Sequence, residues 1–140
     1  MSIYCEENIE AVSITEKDAS KEKVDEQVGE LRRKYPLYTA VLERIPDMNL
    51  EEVVGVMFMA DGVRWLLKVH AMKLSLIGDD NVTDQMVEEK ISEIRTKHPI
   101  LASVLEKIHN MDLKETTTGL FGIDAMESLL KLRALVIIAS

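Results

Sequence analysis

At 140 residues the chain is long enough for one compact domain with a real core and short for two independent ones. Hydrophobic residues at 46% and charged residues at 30% are ordinary values for a soluble globular protein. The net charge of −8 leaves no broad positive field for phosphate, so nucleic acid is a disfavoured partner.

Residues 1–19 hold Glu6, Glu7, Glu10, Glu16 and Asp18 against Lys17, so a net −4 sits in this short acidic leader, which is expected to be partly disordered. No basic n-region or apolar h-region precedes Glu6, and the single cysteine, Cys5, has no intramolecular disulfide partner. A cytoplasmic protein is the expectation. The carboxylates around Cys5 raise a thiol pKa, so the thiol is read as passive.

From residue 20 onward one pattern dominates. Shifting the chain by 63 residues aligns 24–77 with 87–140 without a gap, and 19 of the 54 pairs are identical. Unrelated sequences of ordinary composition would give about three. Internal duplication is the reading, with repeats at 20–80 and 83–140 in one helical-bundle domain spanning 20–140.

Each repeat reads as two short helices and one long one. The first runs from Lys21 to Lys34 behind an N-cap at Ser20, with Val24, Val28 and Leu31 on one face. Its counterpart runs from Asp84 to Lys97 behind Thr83, with Val87, Ile91 and Ile94. Pro36 and Pro99 interrupt, since proline suits the first turn of a new helix and disfavours helix at the residue before it. Second helices are therefore expected over Leu37–Ile45 and Ile100–Ile108.

Asn49-Leu-Glu-Glu52 and Asp112-Leu-Lys-Glu115 are capping boxes, each preceded by a methionine, Met48 or Met111. They launch the long helices. The first is expected to reach Ile77 and stop at Gly78-Asp79-Asp80; the second to reach Ala139, from a start weakened by Thr116-Thr117-Thr118-Gly119. A helix of this length spans roughly 42 Å, close to the two short helices laid end to end. Each repeat is thus expected to be a helical hairpin, and the pair an all-α, up-down bundle of four arms with the long helices at its centre. The long arms carry more apolar surface than short helices readily cover, which points to a homodimer.

No membrane span is expected. Val53–Ala60 is only eight apolar residues before Asp61, and Arg64, Lys68 and Lys73 follow. No metal or cofactor is expected either: His70, His98 and His109 fall on different helices, and no Glu-x-x-His spacing occurs. The six glycines form no phosphate loop, and Arg32-Arg33-Lys34 is read as helix-end chemistry favoured by the macrodipole.

No catalytic residue set is assigned. The residues that stand out are Asp61 and Asp124, at matched positions in the most apolar helices, followed seven residues later by Lys68 and Lys131. Two turns return to nearly the same face, so each long helix carries a charged stripe. If the stripes met inside the bundle, two carboxylates and two lysines could bind a small charged ligand, with Trp65 beside them. The plainer reading is a solvated face. Trp65 is the only tryptophan and is matched by Ser128, an asymmetry that fits a pocket or redistributed core volume. Two functions follow: a dimeric structural or adaptor module acting by protein–protein contact, or a ligand-binding or catalytic bundle with its site near Asp61 and Asp124.

Overall fold

The computed structural model describes residues 20–77 and 81–140. The acidic leader with Cys5, and the expected stop at Gly78-Asp79-Asp80, lie outside the described residues. Among those described there are six α-helices and no strand: α1 Lys21–Lys34, α2 Thr39–Arg44, α3 Leu50–Leu74, α4 Asp84–Lys97, α5 Ala102–Ile108 and α6 Leu113–Ala139. The fold is all-α.

Local chemistry sets the helix starts as expected. Ser20 Oγ accepts from the Lys23 N–H at 3.1 Å and Thr83 Oγ1 from the Met86 N–H at 3.1 Å. Both capping boxes close in each direction, with the Glu52 and Glu115 N–H groups donating to Asn49 and Asp112 at 2.8 Å. Each prolines' first turn is 3₁₀, Pro36–Tyr38 and Pro99–Leu101, before α2 and α5 begin. Pro46 adds a third 3₁₀ turn over Ile45–Asp47, whereas His109 in the matched position lets α5 run to Ile108.

The first long helix ends earlier than its sequence suggests. α3 stops at Leu74, and Leu76 takes a left-handed φ of 60°. The Ile77 N–H then reaches back to the Met72 carbonyl at 2.9 Å and the Leu76 N–H to Lys73 at 3.2 Å, the bond pattern of a Schellman cap. A leucine, not Gly78, holds the position that glycine usually fills.

Helix α3 and helix α6 pack along their lengths and run antiparallel. Arg133, near the end of α6, donates to the Met48 carbonyl just before α3, at 2.8 and 3.0 Å. At the other end His70 Nε2 lies 2.9 Å from the Met111 carbonyl just before α6. His70 and Arg133 are 63 residues apart, as are Met48 and Met111, so the two bonds are reciprocal.

The flanking helices are placed differently from simple hairpins. α1 packs on α6 and α4 on α3, so each half's first helix covers the other half's long helix. Gly55 faces His98 while Gly62 faces Ile94 and Lys90, which makes α4 antiparallel to α3. The short helices and 3₁₀ turns of the two halves meet each other, through α2 with Pro99–Leu101 and α5 with Pro36–Tyr38. The apolar faces read from α1 and α4 are the buried ones: Val24, Val28, Leu31 and Val87, Ile91, Ile94.

Tyr38 shows how the halves differ inside. Its buried hydroxyl donates to the Gly119 carbonyl at 2.6 Å, and burial raises its phenol pKa well above the ordinary value. A Cβ at Gly122 would come within 2.6 Å of the Tyr38 ring and 3.0 Å of Tyr35. The matched positions carry Leu101, Val56 and Met59. Glycines opposite a tyrosine replace larger side chains opposite a leucine, keeping local volume near constant.

Candidate functional site

The centre of the long-helix pair is a charge cluster built on Arg64. Its Nη1 bonds Asp61 on the same helix, three residues back. Its Nε and Nη2 donate to Asp124 Oδ1 across the pair at 3.1 and 2.8 Å, and Nη2 also reaches Glu127 Oε1 at 3.2 Å. One planar guanidinium thus ties three carboxylates on two helices, a task that suits its fork of donors. Burial acts against the Arg64 charge, but the hydrogen bonds to Asp124 and Glu127 outweigh it and raise its pKa.

Arg64 and Glu127 stand 63 residues apart, the same position in each half with opposite charge. Their side chains are largely covered, 20% and 22% exposed, whereas Asp61 and Asp124 are 76% and 67% exposed. The aspartates therefore converge at the surface of the helix pair, not inside the bundle. Lys68 and Lys131 lie further along the same exposed stripes, and neither joins the cluster. The register explains this placement. Positions 61 and 68 face outward because the inner face of α3 is taken by Val56, Ala60, Val63 and Leu67.

Trp65 is half-buried at the edge of this face. With Phe58, Asp61 and Gly62 it lines a cleft of about 380 Å³ against Lys90, Glu93 and Ile94 of α4. Gly62 lets α4 approach, since a Cβ there would meet Ile94 Cδ1 at 2.9 Å. Glu93 on the far wall is held below the usual carboxylate range by its hydrogen bond to Lys90 and by Lys97. Of the residues singled out from sequence, Asp61 and Trp65 thus share a cleft, Asp61 and Asp124 share Arg64, and the two lysines stand apart.

Two features of this face were not legible to a search for chemistry. The first is the Arg64–Glu127 pair, whose signal was opposite charge at matched positions in apolar helices. The second is the pair Phe58 and Phe121, the chain's only phenylalanines, identical at matched positions and 69% and 64% exposed. Retention of a large aromatic at both positions was the signal there. Leu50 and Val54 on α3 and Leu113 on α6 are also exposed, and Leu50 and Leu113 are again a matched pair.

Several other charged groups on the surface are paired locally. His109 meets Glu88 at 3.0 Å, Arg32 meets Glu43 at 3.0 Å, and Lys34 meets Glu30 at 3.3 Å. Among the described residues no group of three or more His, Cys, Asp or Glu is placed to hold a metal, and no helix is long and apolar enough to cross a membrane. No protein family matches the chain, and no similar curated protein or solved structure is found.

Proposed function

We propose that this chain is an internally duplicated helical bundle that acts by protein–protein contact, pairing with a second copy through the outward face of α3 and α6. The observation that carries the reading is the matched pair of exposed phenylalanines, Phe58 and Phe121, on that face. Each such ring has roughly 150–250 Å² to bury, and aromatic anchors are what stable interfaces concentrate. Duplication is supported by the reciprocal bonds of His70 and Arg133 and by Arg64 meeting its own counterpart. Contacts of that kind are the mark of an approximate twofold axis.

A second copy suits this face for a further reason. Each stripe carries an aspartate and, seven residues on, a lysine that no described residue pairs. A partner laid antiparallel with a two-turn offset, about 10 Å, sets lysines against aspartates and closes as an isologous dimer. The absence of a disulfide partner for Cys5 keeps the expectation of a cytoplasmic setting.

Sedimentation equilibrium tests the proposal. The unmodified chain should be a dimer at micromolar concentration, and Phe58→Ala/Phe121→Ala should weaken association about 100-fold while helical content is unchanged. A monomer at several hundred micromolar refutes it. The cleft at Trp65 favours a second reading, a small-ligand site. Trp65 is the only tryptophan, so a ligand entering there must alter the intrinsic fluorescence, and Asp61→Asn should weaken that response.

A further inference from the structure

A larger cleft, about 590 Å³, opens elsewhere, between the Pro36–Tyr38 turn, the end of α5 and the first turns of α6. Its walls are mainly apolar: Tyr35, Leu37, Tyr38 and Met111, with Gly119 at the floor. Tyr38 is fully buried behind this lining, its hydroxyl donating to the Gly119 carbonyl. Size and lining are those of a small-molecule site.

The rim is basic in an acidic protein. Lys107 and Lys114 both line the cleft, and neither makes an ion pair or hydrogen bond to another side chain, in a chain with 25 acidic against 17 basic residues. Glu115 also lines the cleft, its Oε1 accepting from the Asp112 N–H at 3.3 Å in the capping box, so two lysines stand there against one carboxylate. Lys114 stands in the first turn of α6, a helix of 27 residues, where the positive end of the macrodipole adds to its charge.

The matched junction at the opposite end of the two halves lacks this character. Arg44 replaces Lys107 and is paired with Glu52 at 3.7 Å, and Glu51 replaces Lys114. There the His98 ring packs over Gly55, within 2.9 Å of where a Cβ would lie, and Leu101 replaces Tyr38. The tyrosines of the first half and the lysines of the second thus meet at this junction and not at its matched counterpart.

We propose that this cleft binds a small amphipathic carboxylate, its aromatic or aliphatic body against Tyr35, Leu37 and Met111 and its charged end between Lys107 and Lys114. Neither Phe58 nor Phe121 lines this cleft.

Calorimetric titration of the full chain with 2-naphthoate, and with 2-naphthylmethanol as its uncharged counterpart, tests it. Naphthoate should bind saturably at one site per chain, about tenfold more tightly than the alcohol. Lys107→Gln/Lys114→Gln should bring the acid down to the alcohol's affinity, with thermal stability held as the check on folding. Thr118→Trp, at an exposed rim position, should fill the cleft and abolish binding of both. No heat from naphthoate at millimolar concentration, equal affinity for acid and alcohol, or naphthoate affinity unchanged by the double lysine variant each overturns the proposal.

Discussion

Arg64 is the residue on which the long-helix pair turns, because removing it leaves Asp61, Asp124 and Glu127 crowded without a cation. Arg64→Glu should cost about 2–3 kcal/mol by urea denaturation, less than a fully buried break because the aspartates remain solvated. The double exchange Arg64→Glu/Glu127→Arg has a different outcome. It moves the guanidinium to the matched position, three residues after Asp124 and across from Asp61, and should recover to within about 1 kcal/mol of the parent. Simple addition of the single losses would refute an approximate twofold at this point. His98 supplies a pH-dependent residue. Burial, and then Lys97, hold its imidazole below the ordinary value, so the folded state resists a proton that the unfolded state accepts. The stability it contributes is full above the unfolded pKa of about 6.5 and is lost as pH falls from there toward the folded pKa. Melting temperature should therefore drop less between pH 7.5 and 5.5 in His98→Gln than in the parent; an identical drop would remove His98 from the account.

At the scale of elements, what was legible follows from what is local. Ser20, Thr83, Asn49 with Glu52, and Asp112 with Glu115 are signals contained within four residues, and all of these helix starts fall where they point. The end of α3 was misread because a glycine two residues further on is the stronger sequence signal than a leucine forced into a left-handed turn. That leucine is 93% exposed, so nothing packs to repay its backbone conformation. Leu76→Gly should accordingly stabilise the protein by about 1 kcal/mol, read as a higher denaturation midpoint at constant m-value. The close approach at Gly122 was illegible for the opposite reason: its partners, Tyr35 and Tyr38, lie more than eighty residues away in the chain. Helix propensity alone says Gly122→Ala stabilises by up to ~1 kcal/mol, but a Cβ 2.6 Å from an anchored tyrosine ring reverses the sign. A net loss of about 1–2 kcal/mol is expected, and a gain in stability would show that Tyr38 yields freely.

For the molecule as a whole, the exchange of partners between halves matters more than the matching of their elements. Because α1 covers α6 and α4 covers α3, neither half buries its own long helix, and hairpins drawn from loop lengths alone could not reveal this. Two consequences follow for the separated halves, residues 20–77 and 81–140. Each alone should be largely unfolded, since α3 or α6 would expose the apolar face that the other half covers. Mixed, they should recover the helical signal with a dissociation constant in the micromolar range, the linker in the intact chain having supplied an effective concentration of about a millimolar. Self-pairing of the first half would set Arg64 against Arg64, and of the second Glu127 against Glu127, so like charges at the axis disfavour both homodimers. Replacing Arg64 with Met in the isolated first half removes that repulsion and should allow it to self-associate. If either unmodified half folds as a stable helical monomer, or the first half pairs with itself as tightly as with the second, the charge at positions 64 and 127 does not select the pairing and the interlocked core is not what holds the chain together.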